Sequence, residues 1–266
     1  MLLEIFDNRI RNKNTYIVIF RNIKGKVNVM IYSNNYKIGI EDIGVNNEAT
    51  NKALLAIMED VAGLHSESVG YGVFEVETKN RAWLLLDWKM KVIKRPKYND
   101  KIIAETWSRK VERLYAYRDF QLKDEQGNVI VIGTSRWIFV DTKRRRPVRL
   151  TEEITSLYES ETDKSVFPEE MENIGCDDYD FKKDYHVQRR DIDINDHMHN
   201  LSYLEMAYEI LPLEIYKNKV FDNVRIAYKK EIVYGQKIEC YYSQQDDKHI
   251  ITVKSNDNIN ATIELS

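Results

Sequence analysis

The sequence is short of cysteine, of any charge excess and of long apolar runs. Its two cysteines, Cys176 and Cys240, stand far apart and form no Cys-x-x-Cys pair. This argues against a disulfide framework or a zinc knuckle, and points to a reducing cytoplasm as the setting. Forty Lys and Arg are balanced by 43 Asp and Glu, for a net charge of −3. A dedicated nucleic-acid binder would carry a clear basic excess, so no nucleic-acid partner is expected. No apolar run approaches the ~20 residues of a membrane span. The longest early run, Tyr16–Phe20, is too short for a signal-peptide core, and no small-residue cleavage site follows it.

What the sequence does contain is strand-forming. Seventeen Tyr and eight Phe favour sheets over a helical bundle. A length of 266 residues is long for one α+β domain and short for two average ones. That raises the question of one unit used twice.

Residues 1–28 match nothing downstream and read as an N-terminal extension. From Asn28 to Gly44 the pattern is a strand and its exit. Leu54, Ile57, Met58, Val61 and Leu64 then recur at helical spacing, with Asn46 or Asn47 as the expected N-cap. Leu84, Leu86, Trp88, Met90 and Val92 alternate with Leu85, Asp87, Lys89 and Lys91, the period-2 pattern of a sheet buried on one face. Further strands are expected over 101–112, 115–123 and 129–140, the last two joined by a turn at residues 124–128. Residues 151–180 carry eleven acids against one base, Lys164, and read as an acidic linker draped over the surface. After it the order begins again: a strand near 184–190, a loop, a helix from about Leu201 to Leu211 stopped by Pro212, then strands.

The repeat has a register. Asp42-Ile43-Gly44-Val45-Asn46 precedes Asp191-Ile192-Asp193-Ile194-Asn195 by 149 residues, and the same offset pairs Asn51 with Asn200 and Leu55 with Leu204. Tyr98–Ile102 matches Tyr234–Ile238 at an offset of 136. Two copies of strand, helix and antiparallel strands imply an α+β chain in which a long helix is wrapped by a curved antiparallel sheet, twice.

The copies differ where polar residues gather. In the second, an extended Asp191–Asn200 would put Asp193, Asn195 and His197 on one side, with Ile192 and Ile194 pinning the loop from the other. Asn200 would cap the next helix, whose free N–H groups suit a developing oxyanion. The first copy has Gly44, Asn46 and Glu48 at these positions, so only one half looks built for chemistry. Gly70-Tyr71-Gly72 is no dinucleotide fingerprint.

The Asp-x-Asn-x-His loop, followed at a distance by Tyr228-Lys229-Lys230-Glu231, resembles the acyl-acyl-carrier-protein thioesterases of plants and bacteria. The likeness covers roughly residues 30–262, with Trp107 and Arg146-Pro147 also in place. The resemblance implies two tandem hotdog domains: 29–150 binding the acyl chain, 151–180 as linker, and 181–266 carrying catalysis. It implies hydrolysis of fatty acyl thioesters on acyl carrier protein, with Asp193, Asn195, His197 and Glu231 as the catalytic set, no cofactor and no metal. A cysteine follows that glutamate in some accounts of the family; here the position is Ile232, which disfavours a cysteine nucleophile. Asp193 remains open between nucleophile and orienting group. The basic run Lys143–Arg149 could dock the acidic carrier. A monomer or a homodimer is expected. The rivals are an acyl-coenzyme A thioesterase and a non-catalytic acyl-thioester-binding protein.

Overall fold

The structure, a computed structural model, describes residues 15–18, 31–167 and 169–266. In chain order these form β1 (Thr15–Val18), β2 (Ile31–Lys37), α1 (Asn51–Ser68), α2 (Val76–Lys79), β3 (Arg81–Val92), β4 (Lys101–Glu112), β5 (Tyr115–Lys123), β6 (Val129–Asp141) and the short β7 (Arg146–Pro147). Then follow α3 (Glu152–Tyr158), β8 (Phe181–His186), α4 (Asn200–Ile210), α5 (Leu213–Asn218), β9 (Asn223–Tyr228), β10 (Lys237–Gln245), β11 (Lys248–Ser255) and β12 (Asn258–Leu265).

The strands make one antiparallel sheet in the order β1-β2-β4-β5-β6-β3-β9-β12-β11-β10-β8, with β7 on β6. Read from the middle outwards, β3, β6, β5, β4, β2 on one side mirror β9, β12, β11, β10, β8 on the other. The halves join through β3 and β9, paired from Asp87–Ala227 to Lys91–Asn223.

Each half wraps one helix. The α1 stripe of Leu54, Leu55, Met58 and Val61 is fully buried, and so are Ile102, Ala104, Phe120 and Leu122 on the strands beneath it. Approach is close enough that a Cβ on Gly133 of β6 would lie 2.6 Å from Met58 Sδ. In the second half Leu201, Leu204, Ala207 and Ile210 of α4 are buried toward the sheet. The two helices lie antiparallel against each other: Asn51 donates to the Tyr208 hydroxyl at 2.8 Å, Lys52 pairs with Glu205 at 2.6 Å, and Asn200 reaches Glu59 at 3.4 Å.

Most of the expected elements are present, with several local differences. The first helix is capped by Thr50, whose hydroxyl accepts from the Ala53 N–H, rather than by Asn46 or Asn47. The residue capping α4 is His199, not Asn200. The linker contains α3, and its Ile154, Tyr158 and Phe167 are buried. The extension expected over 1–28 lies outside the described residues except for Thr15–Val18, which pairs with β2.

The alternation in β3 is broken by a bulge between Leu85 and Asp87. An inserted residue inverts which side chains face inward. Leu84 is therefore 48% exposed and Leu85 only 7%, whereas Trp88, Met90 and Val92 point inward as the pattern requires. Leu85→Ala is expected to cost about 2–5 kcal/mol in urea denaturation, and Leu84→Ala under about 0.5 kcal/mol. Unbroken alternation would give the reverse ranking.

Candidate active site

The two pre-helix loops are built alike, bond for bond. Asp42 and Asp191 each accept a backbone N–H three residues upstream at 2.7 Å, from Gly39 and Gln188. Gly44 N–H bonds Glu48 C=O and Asp193 N–H bonds His197 C=O, both at 2.9 Å. Asn47 and Asp196 turn the chain at φ 60° and 61°. The loops then tie to the following segments through Ala49 N–H to Pro96 C=O at 2.8 Å and Met198 N–H to Ile232 C=O at 2.7 Å. The loop is thus a tight hairpin, not an extended strand, and this alters one expectation. Ile192 packs against the core, but Ile194 is 81% exposed at the hairpin tip, and its counterpart Val45 is fully exposed.

Within the second hairpin the expected residues fall into two pairs. Asp193 Oδ1 accepts the Asn195 backbone N–H at 2.7 Å, and Asn195 Nδ2 lies 3.4 Å from Asp193 Oδ2. His197 Nε2 lies 3.2 Å from Glu231 Oε2, because His197 bridges to Val233 and so draws the segment after β9 alongside. Among the described residues the pairs are linked by the Asp193 N–H to His197 C=O backbone bond, and no side-chain hydrogen bond joins them. Tyr203 of α4 feels both pairs: burial pushes its phenol up, a hydrogen bond with the Ile232 backbone opposes this, and the charges of Glu231 and Asp193 add to the rise.

Three further residues complete the surroundings. Arg145, from the turn after β6, bonds Glu231 Oε1, so the carboxylate is held from both sides. His199 Nδ1 accepts the Leu201 N–H at 3.2 Å, which places its proton on Nε2, 3.6 Å from Glu59 Oε2. Glu59 also accepts from Asn200 Nδ2. Burial pushes the Glu59 carboxyl up, the nearby Asp193 adds to this, and His199 and Asn200 oppose it. A side chain of the first half therefore stands at the head of α4 in the second. Arg145 lies in a basic run that the sequence did single out. Glu59 carries no such signal, because its role depends on which helices the sheet sets side by side.

The first half carries different side chains at the equivalent place. Arg95, at the repeat position of Glu231, donates to Ala49 C=O and Asn51 Oδ1 at 2.9 Å, to Phe221 C=O at 3.0 Å and to Asp222 at 2.7 Å. Tyr208 occupies the repeat position of Glu59. A guanidinium staple fills one copy, and an acid–imidazole pair stands in the other.

Neither cysteine is placed to attack. Ile232 is fully buried, and Cys240 packs against Met206 with its thiol pushed up to about 12 by burial. Among the described residues no three His, Cys, Asp or Glu side chains cluster to hold a metal ion. No described helix is long and apolar enough to cross a membrane.

This fold and loop correspond to a family. The model for the acyl-ACP thioesterase N-terminal domain matches residues 29–158, and that for the C-terminal domain matches 174–265. The chain belongs to the acyl-ACP thioesterase family. It is 22% identical over 240 residues to the chloroplastic oleoyl-acyl carrier protein thioesterase of Coriandrum sativum, covering 84% of this chain and 65% of that one. It is 23% identical to the palmitoyl-acyl carrier protein thioesterase of Gossypium hirsutum over 76% of this chain and 52% of that one. The chain thus spans somewhat under two thirds of the length of these curated relatives.

Two solved structures share the double hotdog fold. A putative oleoyl thioesterase from Lactobacillus plantarum superimposes with a TM-score of 0.79 at 22% identity, covering 90% of this chain and 96% of that one. The 12:0-ACP thioesterase from Umbellularia californica gives 0.77 at 17%, covering 89% and 96%.

The environment of Glu59 has a measurable sign. Its carboxyl is raised on folding, so its protonated form favours the native state below the ordinary glutamate range. That contribution disappears as pH rises through the folded value. Glu59→Gln is therefore expected to gain stability relative to the parent between pH 4 and pH 7 in urea titrations. A constant difference across that range would mean the carboxylate is not confined as described.

Proposed function

We propose that this chain hydrolyses fatty acyl thioesters carried on acyl carrier protein, releasing the free acid and the carrier thiol. The observation that carries this reading is the His197–Glu231 pair, set beside the Asp193–Asn195 hairpin at the capped head of α4. Family membership supplies the reaction class.

In this mechanism the thioester carbonyl oxygen faces Asn195 and the N-terminus of α4, whose Leu201 N–H His199 caps, and these stabilise charge as it develops. Glu231, steadied by Arg145, takes a proton from water through His197. The hydroxide adds to the carbonyl carbon, the C–S bond breaks, and the departing thiolate receives the proton from His197. Asp193 has one oxygen on the Asn195 N–H and the other toward its amide. This favours orienting the amide over attacking as a nucleophile. No cofactor enters the scheme.

The first unit, 29–150, takes the acyl chain. The linker, 151–180, covers the sheet, and the second unit, 181–266, performs the chemistry. The exposed Lys143, Arg144, Arg146 and Arg149 attract the acidic carrier to the mouth of the site, since Arg145 in the same run already touches Glu231. A reducing, cytoplasmic setting and a monomer or homodimer fit this scheme, because the hotdog pair is already made within one chain.

A panel of acyl carrier protein and coenzyme A thioesters, with the freed acids profiled, tests the reading. Carrier thioesters should be hydrolysed, and His197→Ala and Asp193→Ala should each lower kcat/KM by ~10²–10⁴ while remaining folded. Preference for coenzyme A would reassign the partner, and no hydrolysis of either would make the chain a binding protein.

A further inference from the structure

The interior of the first half holds a buried cation that meets no described carboxylate and, beside it, a buried ring donor without an acceptor among the described residues. His65 of α1 is fully shielded from solvent, and Arg118 of β5 beside it is 7% exposed. Arg118 Nη1 lies 2.7 Å from His65 Nδ1 and 3.2 Å from Thr106 Oγ1. A guanidinium only donates, so His65 Nδ1 accepts and the ring proton sits on Nε2. That N–H is buried without a hydrogen-bond partner among the described residues. No described carboxylate forms an ion pair with Arg118. Its surroundings are aromatic: the Tyr158 ring lies 5.7 Å away, and Tyr32 and Tyr158 flank the imidazole at 5.6 and 5.4 Å. Burial draws the guanidinium down to about 10.

A charge and a donor withdrawn from water are costly unless an acceptor meets them. The second half shows the ordinary solution. Its buried His249 engages both nitrogens, Nδ1 with the Tyr242 hydroxyl at 2.8 Å and Nε2 with Lys219 at 3.2 Å. Strand pairing makes this same His249 the counterpart of Arg118, which faces Ser108 on β4 as His249 faces Gln244 on β10. The unmet pair is therefore peculiar to the first half.

Its position relates it to the candidate site. Glu59, which meets the head of α4, lies six residues before His65 on the same helix, a rise of roughly 9 Å. Between them Ala62 is the small buried residue on the inward face, whereas Gly63 faces solvent. Ser66, one turn beyond, receives the Tyr158 hydroxyl at 3.3 Å, which closes the far end. A chain held at the hairpin and directed along α1 into the first half would end at His65 and Arg118.

We infer that this cluster is a subsite for an oxygen-bearing far end of the acyl group. A terminal carboxylate, or a carbonyl oxygen near the end, would accept from His65 Nε2–H and Arg118. The inference rests on the thioester reading above and narrows its substrate class to chains carrying an acceptor remote from the thioester.

Two measurements test it. In the first, the whole protein is heated with free medium-chain dicarboxylic acids and with monocarboxylic acids of the same length. The dicarboxylic acid should raise Tm more, and this binding readout does not depend on hydrolysis. In the second, carrier thioesters of one length, plain-ended and carboxylate- or oxo-ended, are compared. The parent should favour the oxygen-ended chain at least ~10-fold in kcat/KM, since a buried polar pair discriminates against an analogue that leaves it unmet. In Arg118→Met and His65→Phe that ratio should fall at least tenfold. Equal Tm shifts by both acids, or a ratio unchanged in both folded variants, would overturn the subsite. Absence of all hydrolysis together with a selective Tm shift would overturn the thioester reading while leaving the subsite standing.

Discussion

The antiparallel pairing of β3 with β9 is the contact on which the arrangement depends. It joins two five-stranded units edge to edge, so neither presents its inner strand to solvent. It also fixes the helices. With the units related by a pseudo-twofold axis at the seam, α1 and α4 must run antiparallel. The middle of one then faces the beginning of the other, and this brings Glu59 to His199 and Asn200. The turn after β6, next to β3, reaches the residues that follow β9, which is how Arg145 meets Glu231. The candidate site is assembled from both halves although its hairpin belongs to one.

Repetition made the halves alike, and substitution made them different. The hairpins share their backbone bonds to within about 0.2 Å, so the backbone alone does not distinguish them. The difference is held by a few side chains. Arg95 against Glu231 and Tyr208 against Glu59 put a staple where the second copy has its acid–imidazole pair, because a guanidinium can satisfy several inward-facing oxygens at once. A carboxylate in the same place would add another acceptor to that set; Ala49 C=O would lose the Arg95 donor, and Phe221 C=O would keep only Asn51 Nδ2.

Much of this was legible in the residues. The strands at 101–112 and 115–123 have the expected bounds, since regular alternation and a charged turn leave little choice. The two registers, 149 and 136 residues, anticipated hairpins that agree bond for bond. What was not legible depends on contacts remote in sequence or on local exceptions without a residue signature. The bulge at Leu85 and Asp87 inverts an apolar pattern that would read equally well in either phase. Caps were misplaced because Asn46, Asn47, Thr50, His199 and Asn200 all offer acceptors, and hairpin geometry selects among them. Glu59 reads as a helix-surface charge until the seam supplies the second helix. The pairing of Asp193 with Asn195 and of His197 with Glu231 likewise follows from the tight turn at Asp196, which an extended loop would not produce.

The guanidinium staple at Arg95 also bears on how the chain responds to ligand concentration. A symmetric pair of hotdog units could present two equivalent openings across one interface, and occupancy of one could alter the other. Here the matching place in the first half carries Arg95 and Tyr208 where the second has Glu231 and the first-half Glu59 stands by, so a single chain holds no second copy of the candidate site. Saturation within one chain must then be hyperbolic. Any sigmoidal response would have to arise between chains or from a ligand of a different kind.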